Sequence, residues 1–174
     1  WDYEKFIGRQ LNKMTIGIIG YGRLGKMMNK YCWVFGMRVI AYDPYVFEDG
    51  YDLDYVLENS DIISLHVHAN DETRHMINKK TLGKMKKGSY IVNTSRGEIV
   101  NEKDIVQSLR DGHLKGYATD VIEDEYGNRE NSPILNGVKE GLNIIVTPHV
   151  GGMTWEGQEK AYKWAIDKLK DIND

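Results

Sequence analysis

Three glycines at Gly20, Gly22 and Gly25 constrain this chain more than any other feature, because of what stands on either side of them. Ahead lies Thr15-Ile-Gly-Ile-Ile19, β-branched residues around a glycine, the composition of a short strand buried on both faces. Behind, Leu24, Met27, Met28, Tyr31, Cys32 and Phe35 recur at offsets of three and four, which predicts one apolar face of a helix. A strand that turns through G-x-G-x-x-G into a helix is the context in which that spacing points to a dinucleotide. The first glycine turns the chain tightly, the second lets a pyrophosphate approach without meeting a Cβ, and the third lets helix and sheet pack closely. The helix N-terminus adds free N–H groups and the positive end of a dipole.

A second residue narrows the ligand. Val39-Ile-Ala-Tyr-Asp43 reads as the next strand, and Asp43 ends it about 20 residues after Gly20, the distance expected of the carboxylate that holds an adenosine ribose diol. The same carboxylate repels a 2′-phosphate, and Pro44-Tyr45 bring no compensating arginine, so NAD is favoured over NADP. Gly20 to Lys26 comes close to a Walker A loop, but Met27 stands where a Ser or Thr must hold Mg²⁺. None of the eleven tyrosines has a lysine four residues on, which removes the Tyr-x-x-x-Lys pattern of a short-chain dehydrogenase.

Further strands are expected at Asp61–Val67, Ser89–Asn93, Lys115–Asp120 and Asn143–Thr147. Short helices are expected over Trp1–Gln10, Leu53–Leu57 and parts of 71–87, and a longer one from Asn101, with Asp104 three residues on as a partial capping box, to Asp111-Gly112. A closing helix from Thr154 would face inward through Ala161, Trp164, Ala165, Leu169 and Ile172. Strands alternating with helices give an α/β class: a doubly wound parallel sheet, a Rossmann fold of six to seven strands in three layers, the seventh near Gly50-Tyr51. Glu123–Gly141 is polar and too long for an ordinary connection, and reads as a functional or mobile loop.

The chain's 174 residues suit one domain. A net charge of −3 with both signs mixed throughout leaves no basic patch for nucleic acid or an anionic membrane surface, and no apolar run approaches the ~20 residues of a membrane span. The single cysteine, Cys32, cannot form an internal disulfide and reads as a core thiol, which fits a reducing, cytoplasmic setting.

Ligands of an open α/β sheet sit beyond the carboxyl ends of its strands. Three reactive residues follow expected strands there: Arg96, Glu125 and His149. An arginine fork binds a carboxylate, a histidine moves a proton near neutral pH, and an acid orients that histidine. Such a set around a nicotinamide is what reduction of a 2-oxo acid requires. A glycine-rich methyltransferase would leave Arg96 and His149 without a role. His66-x-His68 could begin a metal site, but no third ligand has matching spacing, so no metal is expected.

Gly20-Tyr-Gly-Arg-Leu-Gly25, Asn93-Thr-Ser-Arg-Gly97, Gly116-Tyr-Ala-Thr-Asp-Val121 and Pro148-His-Val-Gly-Gly152 resemble, in order, the signatures of the D-isomer-specific 2-hydroxyacid dehydrogenases. Glu72-Thr-Arg74 and Lys87-Gly88 fit between them, and the resemblance covers nearly the whole chain. It implies that Arg96 binds the substrate carboxylate and carbonyl, that His149 is the acid/base and that Glu125 pairs with it. It also implies a cofactor site of Gly20, Tyr21, Gly22, Arg23, Leu24 and Gly25 at the pyrophosphate and Asp43 at the ribose. Val67, Thr94, Ser95 and Asp120 would line the pocket, Asp120 reaching the carboxamide, with Gly151 allowing close approach beside His149. Tyr126 follows Glu125 where the family often has proline, and His68 stands where proline is frequent. Glu125 is preferred to Glu123 and Asp124 on its five-residue offset from Asp120.

The resemblance implies hydride transfer between NAD(H) and a small 2-oxo or 2-hydroxy acid of D configuration, and homodimers that pair through the cofactor domains. It also implies a second, substrate-binding domain built from flanking segments. Residues 1–174 are therefore expected to be the NAD-binding domain alone, excised from a two-domain enzyme, binding NAD weakly and turning over poorly or not at all. The long acidic loop hints at a lactate-type branch. The rival reading is a non-enzymatic NAD-sensing regulator, since the family frame also includes transcriptional corepressors.

Overall fold

The computed structural model describes residues 3–4, 7–47 and 50–173. Among them, six parallel strands form one sheet in the order β2-β1-β3-β4-β5-β6: β1 (Thr15–Ile19), β2 (Arg38–Tyr42), β3 (Ile62–Leu65), β4 (Ser89–Asn93), β5 (Leu114–Thr119) and β6 (Ile144–Val146). The helices are α1 (Arg23–Val34), α2 (Leu53–Asn59), α3 (Lys79–Leu82), α4 (Glu102–Arg110), α5 (Pro133–Lys139) and α6 (Trp155–Asn173).

Strand alternation sends β1 side chains into two cores. Ile16 and Ile18 meet Cys32 of α1 and Met37 on one face, while Ile19 joins Ile63, Leu65, Ile91, Ile105 and Ile134 on the other, beneath α2 to α5. Three layers result. The pairing then sets the site, because the last residues of all six strands lie in one row: Tyr42 opposite Ile19, Ile19 opposite Leu65, then Asn93, Thr119 and Val146. The residues one step beyond, from Asp43 to Thr147, are therefore delivered along one edge.

Several expectations need correction. The Trp1–Gln10 helix lies partly outside the described residues; within them the first substantial turn is a 3₁₀ segment at Leu11–Lys13. No strand forms at Gly50-Tyr51. The supposed loop 123–141 contains α5, whose start is written in Ser132-Pro133: Ser132 Oγ accepts from the Leu135 N–H and proline takes the first helical position.

The apolar stripe of α1 is divided. Gly25 and Cys32 are buried and Met28 packs beside them, but Leu24, Met27, Tyr31 and Phe35 are exposed. On α6, Ala161, Trp164, Ala165 and Leu169 are likewise exposed. No helix among the described residues is long and apolar enough to cross a membrane.

Ile91 is fully buried at the centre of the sheet. Ile91→Ala is expected to cost about 2–5 kcal/mol, through lost transfer energy and the cavity left behind. Urea denaturation of both proteins should show a lower midpoint at an unchanged slope.

Candidate active site

The edge begins with the glycine turn. Gly20 has φ +92°, and a Cβ there would lie 2.7 Å from the His66 backbone carbon and oxygen, so a side chain would push the loop after β3 off the end of β1. Gly22 is different. Its φ is an ordinary −71°, and a Cβ would find nothing within 4 Å. Nothing inside the chain demands glycine there, whereas a pyrophosphate lying against the backbone does. Gly22 lends α1 no side-chain cap, and the first turn of α1 has no acid, so the positive end of the helix is left to an anion. The residues present fit a bound dinucleotide.

Asp43 is fixed over this turn: Oδ2 accepts the Tyr21 N–H (2.7 Å) and Oδ1 the Tyr45 N–H (3.0 Å). Each oxygen keeps lone-pair capacity for a ribose hydroxyl. The Tyr21 ring packs on Phe47 at 5.0 Å between centroids, and its hydroxyl accepts from Asn29, so it joins the turn by its backbone N–H. Val67 walls the turn; its Cγ1 lies 2.9 Å from where a Gly20 Cβ would stand. Arg23 and Leu24 are exposed at the start of α1, and Gly25 packs so closely that a Cβ would meet the Gly20 carbonyl oxygen at 2.1 Å.

Farther along, fully buried Asn93 shapes the turn after β4. Its Oδ1 accepts the Ser95 N–H and Oγ–H (3.1 and 2.9 Å), and its Nδ2 donates to the Arg96 carbonyl (2.9 Å). Thr94 and Arg96 emerge exposed, the arginine with one Nη donating to the Ser95 carbonyl at 2.7 Å.

After β5, Asp120 serves the backbone rather than pointing into solvent. Oδ1 accepts from Thr147 Oγ1 (2.5 Å) and the Val150 N–H (2.9 Å), and Oδ2 accepts the Gly151 N–H (2.8 Å). A Cβ on Gly151 would come within 3.0 Å of that carboxylate, so the glycine's close approach is to Asp120. The Asp120 carbonyl also takes the His149 N–H (2.9 Å), and His149 itself has φ +53°, a strained conformation held by this cage.

His149 Nδ1 lies 2.7 Å from Glu125 Oε1. Of the three neighbouring acids, Glu125 alone is seen against His149. Glu123 instead bonds His75 Nε2 (2.7 Å) and lies 3.8 Å from Arg74, while Asp124 accepts the Asn128 N–H within its own turn. Arg96, Glu125, Tyr126 and His149 line one cavity of about 230 Å³. A larger one of about 670 Å³ shares Glu125, Tyr126 and His149 and runs toward Asp120, Leu135 and Met153. The Glu125 carboxylate raises the pKa of the exposed Tyr126 phenol, chiefly by hydrogen bonding. Apart from these sites, His66 bonds Ser64 Oγ, and burial holds its imidazole below the ordinary histidine value. Among the described residues no group of three His, Cys, Asp or Glu could hold a metal ion.

A family model described as the D-isomer specific 2-hydroxyacid dehydrogenase, NAD binding domain, matches residues 1–151. The chain belongs to that family. It is 39% identical to a 2-hydroxyacid dehydrogenase homolog of Zymomonas mobilis, across all of this chain and 57% of that one. It is 36% identical to an (S)-sulfolactate dehydrogenase of Chromohalobacter salexigens, over 98% of this chain and 56% of that one. The structure of an Aquifex aeolicus D-lactate dehydrogenase complexed with NAD and lactic acid superposes with a TM-score of 0.88 at 34% identity, covering 97% of this chain and 56% of that one. The chain spans between 30% and 57% of the length of the curated relatives it matches.

For this NAD-binding domain, reading the sequence missed Asn93, Thr147 and the His75–Glu123 pair. Asn93 carried a usable signal, a polar residue ending an otherwise apolar strand before a turn. Thr147 and His75 carried none, since their partners lie 27 and 48 residues away.

Burial works to raise the Asp120 pKa, but its three donors and nearby His149 outweigh it and hold the carboxyl below the ordinary value. Its stabilising effect is therefore complete above the unfolded carboxyl's pKa and lost as pH falls through the lower folded value. Protection of the Val150 and Gly151 amides, measured relative to the unfolded chain at the same pH, should fall over that acid range. In Asp120→Ala, which removes both acceptor oxygens, these amides should be unprotected already at neutral pH, with no acid transition.

Proposed function

We propose that this domain forms the cofactor side of a D-2-hydroxyacid dehydrogenase, in a longer chain whose second domain closes over the substrate. One observation carries the reading: the 2.7 Å contact between His149 and Glu125 beside Arg96 in a single cavity, at the carboxyl edge of the sheet. Bound NADH supplies the hydride. The Arg96 guanidinium holds the carboxylate of a 2-oxo acid and polarises its carbonyl. Ionised Glu125 can only accept, so Nδ1 of His149 carries the proton between them and Nε2 is the nitrogen that exchanges a proton with the substrate oxygen. Asp43 gives the domain its preference for NAD over NADP, and Thr94, Ser95 and Asp120 lie along the path from the ribose to that cavity.

The long chain should reduce one or more of glyoxylate, pyruvate, hydroxypyruvate or a larger 2-oxo acid, with consumption of NADH followed by absorbance. His149→Ala should lower kcat by about 10²- to 10⁴-fold. Saturable NADH binding with no turnover on any of these acids would sink the enzyme reading in favour of the NAD-sensing regulator. Asp43→Ala should weaken NADH binding and narrow the preference over NADPH, as read by nicotinamide fluorescence titration.

A homodimer paired through this domain, in the cytoplasm, completes the proposal. Its support is the exposed apolar face of α1, with Leu24, Met27, Tyr31 and Phe35, and the exposed Trp155, Tyr162 and Trp164 of α6. Sedimentation should give twice the chain mass, and Tyr31→Glu combined with Phe35→Glu should halve it. The isolated 174 residues should bind NADH weakly and show no appreciable turnover.

A further inference from the structure

We propose that Glu102 is a positioning residue: its buried carboxylate clamps both ends of the 123–132 loop and thereby holds Glu125 against His149. Glu102 is only 4% exposed, although it sits in the first turn of a surface helix. Its Oε1 accepts the Glu123 N–H at 2.9 Å, and its Oε2 accepts the Ser132 Oγ–H at 2.9 Å. Ser132 is buried too, and its hydroxyl oxygen accepts the Leu135 N–H at the start of α5. One carboxylate thus joins the entry of the loop to its exit, and Glu125 lies two residues inside.

Helix α4 does not need this carboxylate for itself. Asn101 caps it by accepting the Asp104 N–H, and both Glu102 bonds leave the helix. The entry point is also crowded. A Cβ on Gly97 would lie 2.1 Å from the Ile122 carbonyl carbon and 2.3 Å from the Glu123 nitrogen, so the Arg96 turn presses backbone to backbone on the residue that Glu102 holds. The Glu123 side chain is anchored separately, by His75 at 2.7 Å and near Arg74 at 3.8 Å. A buried carboxylate stripped of its donors is costly. Helix α4 and the loop therefore hold each other, and the loop cannot swing Glu125 away without breaking two charge-assisted bonds.

The inference rests on the reading of Glu125 and His149 as a working pair, and its test separates the two. In the 174-residue chain, NMR should show a low-field Nδ1 proton for His149 and a slowly exchanging Glu123 amide. Glu102→Ala should remove or broaden the low-field proton and speed Glu123 exchange on the order of ten- to a hundredfold, the worth of a bond to a charged group. Protection of the β1, β3 and β4 amides should be unchanged. Glu102→Gln should retain both signals, because its carbonyl oxygen can accept from Glu123 and its amide can donate to Ser132 Oγ. Unchanged Glu123 exchange and an unchanged His149 proton in Glu102→Ala would overturn the proposal. So would loss of sheet protection along with the loop, which would make Glu102 a residue of the general fold. If Glu102→Ala does not fold, Glu102→Asp decides: its shortened reach should lose the loop signals, and retaining them refutes the clamp. Absence of the low-field proton in the unsubstituted chain would count against the His149–Glu125 pair, while Glu123 exchange still reports on Glu102.

Discussion

Strands of a parallel sheet all end at the same edge, and here they end in step. Tyr42, Ile19, Leu65, Asn93, Thr119 and Val146 lie across from one another, so six separate connections leave from a single line. Parallel pairing demands that each connection cross back over a face, which keeps the helices off that edge and leaves it to turns. Every residue with a proposed chemical role belongs to one of those turns. Asp43 and His149 are remote in sequence, yet they stand at opposite ends of one row because the ladder registers hold.

The turns are not free to choose their shapes. Each is governed by a polar side chain: Asp43, Asn93 and Asp120 each make two backbone bonds, in the glycine, Arg96 and His149 turns, and Glu102 holds the acid loop through the Glu123 N–H and the Ser132 hydroxyl. Three of these four are buried at less than a tenth exposure, where an unmade bond is expensive. The groups that would touch a substrate are less covered: Arg96 is exposed and His149 half-buried. Rigidity is placed one layer behind reactivity, which is how a precise site can be built on loops.

How much of this could be read beforehand varied with the range of the interaction. Strand composition, the glycine spacing and the Asn101 cap are local, and the elements they indicate formed within a residue or two of expectation. Periodicity was less informative about which side of a helix is covered. Tyr31, on α1 with Cys32, and Phe35, at the C-cap of α1, face outward, since an apolar stripe records that a surface is meant to be covered and not what covers it. Helix α5 went unread although Ser132-Pro133 announced it, because the polar residues before it drew the whole segment into one loop. Choosing Glu125 among three consecutive acids rested on an offset; its 2.7 Å approach to His149, against the His75 partner of Glu123, separates them on geometry.

The chain's sequence by itself determined the alternation of strand and helix, the glycine turn at a helix N-terminus and the acid that follows the second strand. Those are properties of neighbouring residues, carried by backbone sterics and side-chain periodicity. Only the tertiary structure decided that Asp120 spends its carboxylate on the His149 turn, that Arg96, Glu125 and His149 share one cavity, and that Glu102 lies beneath the loop between them. These contacts join residues 21 to 53 positions apart, and spacing along a chain says nothing about such pairs until strand register and helix packing have brought them together.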